Sequence, residues 1–316
     1  MRGREETIMY LKEINYLLSI MQHRSISKAA EELCISQPAL SKFLKNIERQ
    51  VGATLFSRQG SELVPTYIGS RYLEYALKIS NLQEDWNLEY SDLAGEEQGK
   101  MSLMMPPMRN LCLAPHTLPA FWKKYPNVQV ITLEQSHLVQ KYLLERRDID
   151  FIIQSDTEPS TSMVHEPLGT EEIVLLMAPD HPLASCGVEK PGCKYPWIDL
   201  QLTKDMPFVL NTQSQSTGKV SGKILEEAGI TPRVLMQTYT TGVSAQIAAS
   251  GAALAFSPET YISLLPAQAR PLCFSVGKTR TETTLYAIYQ HNRYLPTYIK
   301  YYWELIRSFM ENFSLT

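Results

Sequence analysis

Gln37, Ser41 and Lys45 stand four residues apart, and Pro38, Lys42 and Arg49 flank them, so a helix through this stretch aligns all of them along one side. The chemistry open to such a stripe is recognition: amide and hydroxyl groups read base edges, while lysine and arginine pair with phosphate oxygens. Elsewhere the histidines at 23, 116, 137, 165, 181 and 291 are dispersed, with no pair at metal-ligand spacing. The run "STGKVSGKI" has Thr217 where a phosphate-binding loop needs its first glycine, and Ile224 where it needs Ser or Thr. No Gly-x-Ser-x-Gly elbow and no Gly-x-Gly-x-x-Gly turn occurs. The sequence therefore offers no catalytic set, no metal set and no cofactor motif, and an enzyme is not expected.

The recognition stripe needs elements to hold it. Leu11, Ile14, Leu17, Leu18 and Met21 recur at helical spacing and predict a first helix ending near His23. Ser27 is expected to cap a second, "KAAEEL", whose Ala29, Ala30 and Leu33 admit a close neighbour. After the tight turn "CIS", Ser36 is a good N-cap for a third helix, with Pro38 in its first turn, where a missing N–H costs nothing. Leu40, Phe43, Leu44, Ile47 and Val51 face inward, and Gly52 supplies the stop. "TLFSRQGSELVPT" then reads as two short strands about a Gln-Gly-Ser turn, with Arg58 near the tip. The net charge of -3 excludes an all-over basic coat, yet Arg24, Lys28, Lys42, Lys45, Arg49 and Arg58 face only Glu31, Glu32 and Glu48 in this part of the chain.

"SISKAAEELCISQPALSKFLKNIERQVGATLFSR" resembles the winged helix-turn-helix of LysR-type transcriptional regulators. It has the Ala-Ala pair of the second helix, the Ser-Gln-Pro-Ala-Leu-Ser entry to the third, the helix end at Gln50-Val51-Gly52 and the Leu-Phe-x-Arg wing. "LVPTYIG" departs from the family's Leu-Thr-Pro-x-Gly run. The resemblance implies a site on double-stranded promoter DNA contacted by Ser27, Lys28, Ser36, Gln37, Pro38, Ala39, Ser41, Lys42, Lys45, Arg49 and Arg58.

Downstream, Ile68, Tyr72, Tyr75, Ile79, Leu82, Trp86, Tyr90 and Leu93 alternate at spacings of four and three, a coiled-coil seam. A helix from Thr66 to Leu93 would be about 42 Å long, too narrow-striped to be covered by the small domain before it. Pairing with a second copy is expected. The resemblance adds that such regulators dimerise through this helix, set two recognition helices on a near-palindromic site and commonly assemble as dimers of dimers, with RNA polymerase a further candidate partner. "AGEEQGK" reads as a hinge.

Beyond Lys100, apolar strands alternate with helical segments, which predicts α/β units with mainly parallel sheets. "VQVITLEQSHLVQKYLLERRDIDFIIQ" and "RVLMQTYTTGVSAQIAASGAALAFSP" share one strand–helix–strand design, so two similar lobes are expected. "EEIVLLMAP" and "TTLYAIYQ" can carry the chain out of the first lobe and back. The expected divisions are a DNA-binding domain over 1–65, a linker helix over 66–94 and an effector domain over 95–316. Lobe one covers about 100–171 plus 280–316, and lobe two about 172–279. The resemblance implies the fold of a periplasmic binding protein. Ligands in open α/β sheets bind beyond the carboxyl ends of strands. The candidates there are Pro107, Met108, Arg109, Gln135 and Ser136 in lobe one, and Gln213, Ser214, Ser216, Thr217, Thr240 and Thr241 in lobe two. Their hydroxyl and amide groups suit a small polar effector, and "MMPPM" shifts the preference toward a less anionic or more apolar one.

The full expectation is an N-terminal winged helix-turn-helix, a long linker helix and a two-lobed α/β effector domain. The function it implies is ligand-responsive control of transcription. Two alternatives stand beside it. "CGVEKPGC" puts Cys186 and Cys193 in a Gly/Pro-rich loop with Lys190 and Lys194, as a redox sensor would. A two-lobed solute-sensing module with no specific DNA binding is the other. No run is apolar enough for a membrane span, the first residues lack the features of a secretory signal, and the odd, scattered cysteines make no disulfide framework, so a cytoplasmic protein is expected.

Overall fold

The computed structural model describes residues 11–95, 98–134, 142–155 and 162–315. The chain forms two compact units that divide between Ala94 and Gly95. Among the described residues no helix is long and apolar enough to cross a membrane.

In the first unit α1 (Leu11–His23), α2 (Ile26–Glu32) and α3 (Gln37–Val51) close around Leu17, Ile20, Ala29, Ala30, Leu40, Leu44 and Ile47. The residue that caps α2 is Ser25, not Ser27. Ser25 is extended and its hydroxyl accepts from the Lys28 N–H, whereas Ile26 is already helical and leaves Ser27 inside the first turn. Arg24 and Cys34 adopt φ of 50° and 53° at the two chain reversals. Ser36 caps α3 ahead of Pro38, and Gly52 ends it at φ 73°. The wing is the antiparallel pair β1 (Phe56–Gln59) and β2 (Glu62–Pro65), with Gln59 opposite Glu62. Glu48 of α3 fixes its approach, since one carboxylate oxygen accepts from the Leu55 N–H at 2.7 Å and the Phe56 N–H at 3.2 Å.

Helix α4 (Tyr67–Leu93) begins at Thr66, whose hydroxyl donates to the Thr54 carbonyl and accepts from the Gly69 N–H. Gly69, Leu73 and Ala76 form its buried face. Tyr72, expected in the seam, is half-buried against the core of its own unit, because heptad spacing does not specify which partner covers a position. Ile79 is also half-buried. Ile68, Tyr75, Leu82, Trp86, Tyr90 and Leu93 are 50% to 76% exposed, so the described residues of their own unit leave them uncovered.

In the second unit β3 (Gln98–Met104) leads into α5 (Pro107–Lys124), followed by β4 (Asn127–Leu133), β5 (Phe151–Ser155) and the 15-residue β6 (Met163–Met177). Then come β7 (Pro207–Asn211), α6 (Ser216–Glu227), β8 (Arg233–Thr238), α7 (Thr241–Ala249) and β9 (Ala255–Pro258). The short α8 (Glu259–Ile262), β10 (Leu272–Phe274), β11 (Glu282–Gln290) and α9 (Thr297–Glu311) complete it. The main sheet has the order β10-β6-β11-β5-β3-β4, with β9 also on β6. The two repeated segments share a topology. β4 and β5 flank β3 in parallel, and β8 lies parallel to β7, which bridges on from Phe208 to Leu254 just before β9.

The sheet is mixed rather than mainly parallel. β6 and β11 pair antiparallel from Glu172–Glu282 to Met163–Gln290, because a strand leaving one lobe and a strand returning to it run in opposite directions. The two larger cores lie one around Phe121, Phe151 and Tyr302 and one around Phe208, Phe256 and Leu254.

Gly69 marks the tightest approach in the first unit, since a Cβ there would lie 1.9 Å from the Leu55 carbonyl oxygen. Gly69→Ala is expected to destabilise the chain by roughly 3 kcal/mol, seen as an earlier urea midpoint. An unchanged midpoint would mean that α4 can retreat from the wing without loss.

Candidate functional site

Helix α3 turns Leu40, Leu44 and Ile47 into the core, which leaves Gln37, Pro38, Ala39, Lys42, Lys45 and Arg49 exposed and Ser41 half-buried. Ser27 and Lys28 on α2 and Arg58 on the wing are exposed too. Ser36 is committed to capping, since its hydroxyl accepts from the Ala39 N–H. Lys28, Lys42, Lys45 and Arg58 have no carboxylate partner among the described residues. Three other cations of this unit are neutralised, since Arg24 pairs with Glu62 at 3.1 Å and Arg71 and Lys78 share Glu74, while Lys12 lies over the Tyr16 ring. A polar clasp that the sequence reading missed ties α1 to α2, with Ser19 donating to Glu32 and His23 3.1 Å from the same carboxylate. The Ser19 hydroxyl, helped by His23, holds the Glu32 carboxyl below its ordinary value. A serine on the buried side of α1 was the one signal for it.

In the second unit the helix starts expected to meet a ligand lie close together. Met108, half-buried in the first turn of α5, reaches Gly242 in the first turn of α7, where a Cβ would sit 3.2 Å from its methyl carbon. The ends of β7 and β8 join through Thr212 N–H to Thr238 O, at 3.1 Å, and Asn211 to the same carbonyl. None of the three helices is closed by a side-chain cap, since Pro106, Gln215 and Thr240 make no capping bond. The first N–H groups of α5, α6 and α7 are thereby left without the side-chain acceptor that such positions take when they serve only as caps.

Pro107, Gln213, Ser214 and Thr240 are exposed, Ser216 is half-buried, and Thr217 and Thr241 are buried. Ser214 shares a 2.9 Å hydrogen bond with Thr212. Gln135 and Ser136 lie outside the described residues.

Arg109 is placed differently from its expected role. Its side chain is 3% exposed, and its guanidinium donates to both oxygens of Glu171, to Thr260 Oγ1 at 3.1 Å and to Ser155 Oγ at 3.4 Å. The Tyr261 ring lies 4.7 Å from the guanidinium carbon. Burial works against the charge, but the Glu171 carboxylate more than offsets it, and the arginine is held protonated more firmly than in water. Burial pushes the Tyr261 hydroxyl up to about 12, so this ring also stays neutral. Arg109 therefore links α5, β6 and α8 across the two lobes and does not project toward a ligand. Sequence reasoning missed Glu171, Thr260, Ser155 and Tyr261. The one available signal was a glutamate pair opening an otherwise apolar strand.

The thiol pair has a different setting from the expected one. Cys193 donates to the Thr279 carbonyl at 2.8 Å, and Cys186 packs against the second-lobe core. Lys190 lies over the Trp197 ring at 3.9 Å and Lys194 pairs with Glu259 at 2.6 Å, so each lysine expected to activate a thiol has another partner.

Residues 11–70 match the family described as bacterial regulatory helix-turn-helix protein, lysR family, and residues 94–311 match the LysR substrate binding domain. The transcriptional regulator XapR of Escherichia coli is 24% identical over 301 residues, covering 92% of this chain and 95% of that protein. The uncharacterized regulator YcgK of Bacillus subtilis is 24% identical over 291 residues, covering 86% and 90%. Among solved structures, a full-length OxyR variant from Pseudomonas aeruginosa superposes with a TM-score of 0.69 at 20% identity, covering 95% of both chains. Full-length CbnR complexed with its target DNA gives 0.54 at 17% identity, covering 95% and 99%.

Removing one partner of a buried ion pair strands the other. Arg109→Met is therefore expected to cost roughly 3–5 kcal/mol in urea denaturation, and Arg109→Met with Glu171→Gln is expected to recover most of it. A single variant no worse than the double would mean that the pair is not what joins the lobes.

Proposed function

The chain belongs to the LysR family of bacterial helix-turn-helix regulators, and from that premise we propose how its two units divide the work. The first unit binds double-stranded promoter DNA through the exposed side of α3. Gln37 and Ser41 meet base edges, Lys42, Lys45 and Arg49 hold phosphates beside them, and Lys28 and Arg58 hold the flanking backbone. The observation that carries this is the set of cations without carboxylate partners on α2, α3 and the wing, in a unit where Arg24, Arg71 and Lys78 are paired. The exposed row from Ile68 to Leu93 joins two copies, so that two α3 helices meet a near-palindromic site, and pairs of dimers are the expected larger assembly. The second unit receives a small effector at the uncapped starts of α5, α6 and α7, between lobes divided near residues 171 and 280. Met108, Ser214, Ser216 and Thr240 stand nearest to it, and Gln135 and Ser136 remain candidates. Regulation of transcription in the cytoplasm, with no catalytic step, is the function this supports.

A gel shift with the intergenic DNA beside the gene tests the assignment. Lys45→Ala should weaken binding to every sequence and reduce the slope of log affinity against log salt by about 1, while Gln37→Ala should lose about 1–3 kcal/mol of discrimination at one base pair. Wild-type behaviour in both variants would remove α3 from the interface.

The seam has its own readout. Trp86→Lys combined with Leu82→Lys should shift the mass seen by sedimentation toward the monomer and weaken the two-half-site complex. An unchanged mass would place self-association elsewhere.

A further inference from the structure

The segment that follows α9 leaves the first lobe and lies on the second. Lys194 donates to the Phe313 carbonyl at 3.2 Å and sits 5.2 Å from the Phe313 ring centre. Arg270 donates to the Leu315 carbonyl at 3.1 Å, and the Leu315 side chain packs against the cluster of Val174, Leu176 and Ile262. Here Leu315 borders a cavity of about 470 Å³. Pro196, Ile262, Leu272 and Phe274 give it apolar walls, and Arg270 is the only cation on its lining. The cavity shares no residue with the helix starts around Met108, Ser214 and Thr240.

Two features point to what this cavity takes. Its volume and largely apolar lining fall in the range that holds small organic ligands, with a few polar groups, Arg270, Ser185 and Tyr195, to orient them. Arg270 has no carboxylate partner among the described residues: its bonds go to two neutral acceptors, the carbonyls of Leu265 and Leu315, each at 3.1 Å. A carboxylate accepts from a guanidinium more strongly than a carbonyl does. Leu315 meets the cavity with an apolar side chain and an oxygen on Arg270, which is the outline of a small apolar acid. The Cys273 thiol, pushed up to about 12 by burial and then by Glu259 and Glu172, keeps its part of the wall uncharged.

We propose that the second-lobe cavity is a second small-molecule site, for amphipathic monocarboxylates of the medium-chain or phenyl-substituted kind, in competition with Leu315 for Arg270. The carboxylate takes the place of the Leu315 carbonyl on the guanidinium, and the hydrocarbon body lies against Ile262, Leu272 and Phe274. Occupation frees Leu315 from the second lobe, leaving Phe313 held by Lys194, while α9 stays packed on α5 and β6 in the first. The acid thus severs one of the links between the lobes without touching the Arg109–Glu171 pair.

Calorimetric titration of the full chain with octanoate and with 4-phenylbutyrate, against octylamine, tests this. Both acids should bind saturably and octylamine should not. Arg270→Gln should weaken the acids about tenfold, and Leu315→Ala, which keeps the carbonyl but loses the side chain that anchors it, should tighten them about threefold by loosening the competitor. The opposite signs matter, because a general loss of structure moves both variants the same way, and the Leu315 variant decides the matter even if Arg270→Gln does not fold. Absence of saturable binding, equal binding of octylamine, or acid affinity that Leu315→Ala leaves unchanged would each overturn the proposal. So would affinity abolished by Thr240→Val but untouched by Arg270→Gln, which would assign the acids to the helix starts instead.

Discussion

A guanidinium keeps its charge when it is withdrawn from water, which is costly unless a carboxylate is withdrawn with it, and Arg109 and Glu171 meet that condition where the two lobes of the second unit join. The arginine comes from the start of α5, the glutamate from the middle of β6, and Thr260 from α8, so the requirement is met only when all three elements are in place. β6 can supply that glutamate because it is one continuous strand of 15 residues. Its first part pairs with β11 and its last part with β9 and β10, so a single backbone serves both lobes. Met108, next to Arg109 in sequence, then lies against α7 with a flexible thioether, a contact that tolerates small shifts better than a branched side chain would. Besides the shared strand and the segment after α9, the lobes thus meet through a rigid polar contact and an adaptable apolar one, side by side.

In the first unit charge is distributed by neutralisation. Glu62 and Glu74 draw Arg24, Arg71 and Lys78 into local pairs, and Glu48 is occupied by backbone N–H groups of the wing. Apart from Lys12, which lies over the Tyr16 ring, what remains uncompensated among the described residues is a set of lysines and arginines on α2, α3 and the wing, which accounts for a directed positive surface in a chain of net charge -3.

How far this organisation was legible depended on the range of the interaction involved. The start of α3 was plain, because Ser36, Pro38 and Gly52 act on their own backbone and need no distant partner. The cap of α2 was misplaced by two residues, since Ser25 and Ser27 have the same side chain and only the backbone angles of the folded chain separate them. Heptad spacing located the exposed row of α4 but could not tell Tyr72, which the first unit covers, from Tyr75, which it does not. Arg109 was read as a ligand contact because its partners lie 62 and 151 residues away, beyond the reach of any local pattern. Strand direction was similarly hidden: an apolar run such as "EEIVLLMAP" reads the same whether its neighbours are parallel or antiparallel. The prolines at 115 and 119 would even argue against α5, yet the helix runs through both, with Thr117 returning a hydrogen bond to the Leu113 carbonyl.

Gly69 places the backbone of α4 directly on the Leu55 carbonyl, with no side chain between them to give way. Helix and reading head therefore form a single stiff piece, and the helix acts as a ruler for whatever pairs along it. Moving the contact between two such helices by one heptad would carry each recognition helix about 10 Å along the axis. With the pairing proposed above, the spacing of DNA half-sites that two such chains can span follows from the position of the exposed row on α4, in a part of the chain distinct from α3.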